Sequence, residues 1–206
     1  MVKQERAART RETLIRSAAE VFDREGYAAA SLTGISSLAG VSNGALHFHF
    51  ASKAALTDAV ERAALRRLTE VAEVPVPSAG RVQSLIDVTH GLAAALRGDV
   101  VLRAGFGLCG EASRMPAADL RGWWQGWVEG TLKEAEAAGE LHPGAAARDV
   151  VSAVVAATVG FEVLGTRDVE WLSAATLTRF WRLLLPSLVS SALLAELAPE
   201  GGAAAS

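Results

Sequence analysis

The stretch "GVSNGALHFHF", residues 40–50, sets His47 and His49 between phenylalanines directly behind a glycine turn. Histidine titrates near neutral pH and is the commonest metal ligand, so the pair suggests metal binding or acid–base catalysis. Neither fits the spacing. On a helix, residues two apart point to opposite faces, whereas a helical chelate needs a spacing of three or four. On a strand the two would share a face, but the segment is short, follows a helix-stop-cap pattern and lacks a partner strand. His90 and His142 are isolated in the sequence. No nucleophile elbow, phosphate loop or paired-carboxylate motif accompanies the histidines, so a base would have no reaction to serve. No enzyme activity, cofactor or metal is expected; a helical enzyme using His47 or His90 would need a cleft around them and would have no affinity for DNA.

The elements that must position this segment are helical. Thr10 to Glu25 carries Leu14, Ile15, Ala18, Ala19, Val21 and Phe22 at helical spacing and stops at Gly26. Ser31 predicts the cap of a short helix from about Leu32 to Ala39, ended by Gly40. Ser42 predicts the cap of another, reaching His49 or Phe50. Ser52 caps a fourth, which continues to about Glu73. The third helix has an apolar side, Leu46 and Phe50, and a side of small or polar residues: Ser42, Asn43, Ala45, His47 and His49. A helix-turn-helix needs this division, because one face docks on a three-helix core while the other enters a major groove. Periodicity alone also allows an ordinary helical hairpin.

Composition agrees with an all-α chain. Half of the 206 residues are apolar, with one Tyr and six Pro, and no stretch reads convincingly as a strand. Cys109 is the only cysteine, which excludes an intrachain disulfide and suits a reducing compartment. "MVKQERAARTRE" has no apolar leader region. The apolar runs 150–165 and 183–197 fall short of the roughly 20 residues that cross a bilayer. A cytoplasmic protein with no membrane partner is expected. Net charge is −3 but uneven: residues 1–70 hold ten Lys/Arg against eight Asp/Glu, and residues 71–206 hold ten against fifteen. The first eleven residues alone carry Lys3, Arg6, Arg9 and Arg11 against Glu5. The basic end is therefore the end with the helix-turn-helix pattern.

"VPVPSAG", residues 74–80, is the clearest linker. It divides a helix-turn-helix domain, 1–73, from a helical domain, 81–206. The latter is expected to hold helices near 82–96, 100–113, 117–138, 145–165 and 169–185, with a short helical tail after Pro186. Ala153, Ala156, Ala157 and Gly160 repeat small residues at spacings of three and four. With Leu177, Phe180, Trp181 and Leu184 they predict a four-helix interface across a twofold axis.

Residues 10–56 resemble the DNA-binding domain of TetR-family repressors, on "AAEVFDREGY", the Ser/Thr-rich start of the second helix, "AGVSNGALHFHF" and "SKAAL". The resemblance implies an N-terminal three-helix DNA-binding domain, a C-terminal helical ligand-binding and dimerisation domain, and a homodimer on double-stranded operator DNA. Position by position, it implies phosphate contacts from Thr33, His47 and Lys53. Ser42, Asn43, Ala45 and Leu46 would face bases or nearby sugars, while His49 and Phe50 pack the helix onto its neighbours. Many members carry Lys at the position of Asn43 and Tyr at that of His47. Losing a cation weakens backbone attraction, whereas Asn is able to pair with adenine. The basic arm of Lys3, Arg6, Arg9 and Arg11 could compensate by lying along the backbone or entering the minor groove.

The second half, "RVQSLIDVTHGLAAALRGDVVLRAGFGLCGEA" and "WWQGWVEGTLKEAEAAGEL", is similar to the γ-butyrolactone receptor branch. "VVAATVGFEVLG" and "LTRFWRLLLPSL" are similar to its pseudo-receptors, which implies a small hydrophobic effector and control of antibiotic biosynthesis. Trp123 and Trp127 share a face while Trp124 looks elsewhere, and alignment on "GEL" matches Trp124 to the family's pocket tryptophan. Further pocket candidates are Trp127, Leu85, Thr89, Phe106, Leu108, Val155, Thr158 and Phe161, the threonines supplying hydrogen bonds to an otherwise apolar ligand. Such a regulator would release DNA when ligand selects another conformation. In the alternative, the larger domain is a docking platform or a ligand-independent dimeriser, marked by a collapsed pocket and an exposed apolar patch.

Overall fold

The computed structural model describes residues 2–73, 80–111 and 115–202, apart from the side chains of residues 2 and 3. Every named element among them is helical, and the one extended pairing is an isolated bridge between Leu141 and Val189. The linker proper, 74–79, lies outside the described residues.

Two compact units form. The first joins residues up to Leu68 with Asp99–Leu120. It contains α1 (Val2–Ala29), α2 (Leu32–Leu38), α3 (Asn43–His49), most of α4 (Lys53–Ala72) and α6 (Val100–Cys109). The expected stop at Gly26 is a break within α1, where φ is +77° and the chain still makes one more helical turn. Ser31 and Ser42 cap α2 and α3, accepting from the Gly34 and Ala45 amides at 3.0 and 3.1 Å. Leu14, Ile35, Leu46, Leu56 and Val60 are fully buried, and α2 packs against both α1 and α3.

These units do not follow chain order. Residues 99–120 pack with the helix-turn-helix, although they follow the linker in sequence. α6 lies against α1, and Arg103 pairs with Asp23 at 3.0 Å. Asp99 caps α6 and also pairs with Arg67 of α4. Contact is close at Gly105, where an added Cβ would stand 2.2 Å from the Ala64 Cβ.

The second unit joins Thr69–Gly98 with residues from Arg121 onward. It holds α5 (Arg81–Gly98), nearly all of α7 (Leu120–Ala137), α8 (Ala147–Gly165), a 3-10 turn (Val169–Leu172), α9 (Ala174–Leu188) and α10 (Ser191–Leu194). The Glu140 carboxylate caps α5, accepting from the Arg81 and Val82 amides at 2.9 and 2.8 Å. α7 starts three residues later than the pattern suggests. The expected helix 169–185 is instead a 3-10 turn followed by α9, which begins at the Ser173 cap and continues through Pro186. Proline is tolerated in this last turn because the carbonyl it leaves unpaired belongs to the exposed Arg182.

Candidate functional site

In the first unit, α3 has its apolar side inward. Leu46 is completely buried and Phe50 nearly so, with the Arg11 guanidinium 5.2 Å above the Phe50 ring. Ser42, Asn43, Gly44, His47 and Phe48 are exposed, together with Thr33 of α2. His49 is half-buried, its ring between those of Phe48 and Phe50 at 5.2 and 6.5 Å. The two histidines thus face different ways, His47 to solvent and His49 along the fold. Among the described residues no three His, Cys, Asp or Glu side chains gather where they could hold a metal.

Three positions differ from expectation. Leu46 cannot face bases, because it fills the helix-turn-helix core. Lys53 is half-buried, its Nζ 3.3 Å from the Ala28 carbonyl and 4.4 Å above the Tyr27 ring, so its charge is shared with the end of α1. Ala45 is half-buried. Phe48 is a surface residue that the sequence reading does not single out. It is 81% exposed, a large apolar ring on the solvent side of α3. Its signal was present in the spacing: two residues from buried Leu46 and from Phe50, it must point away from both. Arg6 and Arg9 are exposed on the opening turns of α1, a helix rather than an extended arm.

Tryptophans and threonines organise the second unit. Trp124 is 1% exposed and donates its indole N–H to Thr158 Oγ1 at 2.8 Å. The Thr158 hydroxyl in turn donates to the Val154 carbonyl, at 2.8 Å, with the Val155 carbonyl at 3.1 Å. Trp181 makes the matching bond to Thr89 Oγ1, also 2.8 Å, and the Thr89 hydroxyl donates to the Ile86 carbonyl. Trp124 and Trp127 stack with ring centroids 5.2 Å apart, so Trp124 does not look away from Trp127. A spacing of three also shares a helix face.

Thr89, Thr158, Phe161, Leu172 and Leu177 line a cavity of about 10 Å³, room for roughly one water molecule. That is smaller than the roughly 300–1,000 Å³ usual for a drug-sized ligand. Leu85 is buried in α5 and is not among the lining residues. Phe106 and Leu108, also expected in a pocket, are buried in the first unit. Leu177 and Trp181, expected on a subunit interface, are instead core residues of this unit, one lining the cavity and the other bonded to Thr89. Ala153, Ala156, Ala157 and Gly160 remain at least partly exposed, as do Phe180 and Leu184. Val163, Leu164 and Leu183 add apolar surface, Leu183 being 82% exposed.

One ion pair joins a buried carboxylate to a half-buried guanidinium. Arg121 of α7 donates to Glu162 Oε2 of α8 at 2.9 Å, and Arg121 Nε has no partner among the described residues. Burial pushes the Glu162 carboxyl above its ordinary range, against the opposing pull of the Arg121 charge and hydrogen bond.

Residues 14–60, spanning the helix-turn-helix, match the family described as bacterial regulatory proteins, tetR family. Over 205 residues the chain is 31% identical to the A-factor receptor protein of Streptomyces griseus, covering 98% of this chain and 71% of that one. The chain belongs to the TetR family. Family members are regulators, which removes the enzyme reading of His47 and His90. Among solved structures, CprB of S. coelicolor A3(2) superposes with a TM-score of 0.81 at 27% identity, covering 93% of this chain and 96% of CprB. CprB has also been solved with its biological operator sequence. A γ-butyrolactone receptor described as ArpA-like superposes at 0.79 with 28% identity, covering 95% of this chain and 96% of the receptor. No described helix is long and apolar enough to cross a membrane.

Proposed function

We propose that this TetR-family protein is a ligand-responsive transcriptional repressor. A homodimer binds a pseudo-palindromic operator, and a small hydrophobic signal releases it. The signal is a γ-butyrolactone or, if the chain is a pseudo-receptor, an antibiotic or its intermediate, and the regulated process is antibiotic biosynthesis. The observation that carries the reading is the two-sided α3. Buried Leu46 and Phe50 anchor it, leaving Ser42, Asn43, His47 and Phe48 free to enter a major groove. Thr33, Arg6 and Arg9 supply further polar and cationic groups on exposed surface of the same unit. The likeness to CprB, known with its operator, supports the same use here.

The second unit supports an effector role through the paired Trp–Thr bonds. Both threonines expected to orient a ligand already accept from tryptophans, and the space between them is small. An effector must therefore displace an indole N–H or widen the cavity. Binding then favours a second conformation, as induction requires: a ligand with equal affinity for both conformations shifts nothing. In this division of labour residues 1–73 make the DNA contacts and 81–206 the effector and dimer contacts. The small residues of α8 with Phe180, Leu183 and Leu184 of α9 form the twofold interface.

The small cavity also favours a second reading, in which the larger part is a docking platform or a ligand-independent dimeriser. Selecting double-stranded DNA from random and genomic pools with the purified protein tests the DNA half. An inverted repeat bound by one dimer, with half-sites about one helical turn (~34 Å) apart, is expected. Failure to enrich any sequence refutes it.

A further inference from the structure

We propose that Ser36 is a positioning residue for DNA reading, holding the Asn43 amide so that its paired oxygen and N–H edge meets adenine in each half-site. The proposal rests on the operator-binding reading above. Ser36 is on the inner side of α2, only 3% exposed. Its Oγ lies 2.6 Å from Asn43 Oδ1 and 3.0 Å from the Thr33 carbonyl. Asn43, seven residues further on, is exposed at the start of α3. The bond thus crosses the turn between the two helices and ties a surface amide to a buried hydroxyl.

The donor and acceptor inventory sets what remains for DNA. A hydroxyl has one proton, and an amide oxygen has two lone pairs. When Ser36 gives that proton to Asn43, the shorter contact, rather than to the Thr33 carbonyl, one lone pair of Oδ1 is used. The other lone pair and both Nδ2 hydrogens stay free. Adenine needs that combination, since its N6–H₂ donates to the amide oxygen and its N7 accepts from the amide nitrogen. An untethered exposed Asn rotates about two side-chain bonds and loses that freedom on binding. Ser36 fixes the side chain beforehand without touching DNA. A lysine at position 43 would instead bring a point charge and no such edge.

Operator selection with the full-length chain and three variants tests this. The unchanged protein should require adenine at one fixed position of each half-site, with discrimination of about 5- to 150-fold against other bases. Ser36→Ala should keep the palindrome and lower that one preference by about 2- to 12-fold, the cost of immobilising one side chain on binding. Asn43→Ala should abolish the preference at that position alone. Asn43→Asp keeps an acceptor for the Ser36 proton but loses the N–H donors, so the preference should move to cytosine, whose N4–H₂ donates. An undiminished adenine preference in Ser36→Ala, or no base change in Asn43→Asp, overturns the proposal. If Ser36→Ala fails to fold, the switch in Asn43→Asp decides the matter. Failure of the unchanged protein to select any DNA overturns the operator reading itself, a distinct result.

Discussion

Replacing Thr158 by Val keeps the shape of the side chain and removes the hydroxyl that accepts from Trp124. The consequence follows from burial. Trp124 is 1% exposed, and its indole nitrogen donates to Thr158 Oγ1 at 2.8 Å. Without that oxygen the N–H has no water to turn to, and leaving a buried donor unpaired costs about 1–3 kcal/mol. Loss of the other Thr158 bonds adds little, because the Val154 carbonyl it serves lies within α8, where backbone amides bond carbonyls already. In a Trp124→Phe background the donor is already gone, so Thr158→Val should cost less than about 1 kcal/mol there. The coupling energy of the cycle is then about 1–2 kcal/mol. Urea unfolding at fixed protein concentration measures it, since a dimer's apparent stability depends on concentration. An equal cost of Thr158→Val in both backgrounds would refute the hydrogen-bond argument. Thr158→Ser, which keeps the hydroxyl, should retain the coupling.

Three further outcomes follow from particular contacts. Gly105→Ala places a Cβ 2.2 Å from that of Ala64 and should destabilise by about 1–3 kcal/mol, whereas Gly107→Ala, with nothing within 4 Å, should stabilise by about 0.5–1 kcal/mol; thermal unfolding compares them. Phe48→Ala should leave Tm unchanged, since the ring is 81% exposed, yet weaken operator binding in a gel-shift titration; unchanged affinity would take Phe48 off the DNA face. Glu162 has its folded pKa raised by burial, so the folded state binds its proton more tightly than the unfolded chain does. Between the ordinary 4.5 and the raised folded value, this group's contribution makes stability fall as pH rises, and Glu162→Gln should remove that slope from a stability–pH profile. A profile unaltered by the substitution would contradict the burial argument.

Local signals in the sequence described local structure well. Ser31, Ser42 and Ser52 cap helices as their positions suggest, and Gly26 and Gly40 both have positive φ where the pattern stops. Periodicity identifies an apolar face but not what covers it. That is why α6 packs with the helix-turn-helix, although it follows the linker, and why Leu177 and Trp181 are core rather than interface. Apolar character is also a poor guide to depth at a working surface. Leu46 and Phe48 are both large and apolar two residues apart, yet one is fully buried and the other mostly exposed. The Trp–Thr bonds and the Arg121–Glu162 pair join residues 34 to 92 positions apart. No local pattern encodes such pairings; they follow only from the packing of α5, α7, α8 and α9.

Ligand-driven release is tested most directly by titrating the selected operator with the purified protein while γ-butyrolactones and polyketide antibiotics are added one at a time. One ligand class should release the DNA, and Trp124→Phe should lower this response while leaving operator affinity intact. A specific operator complex that no member of either class weakens would contradict the ligand-responsive mechanism and leave a DNA-binding dimer whose larger part serves docking.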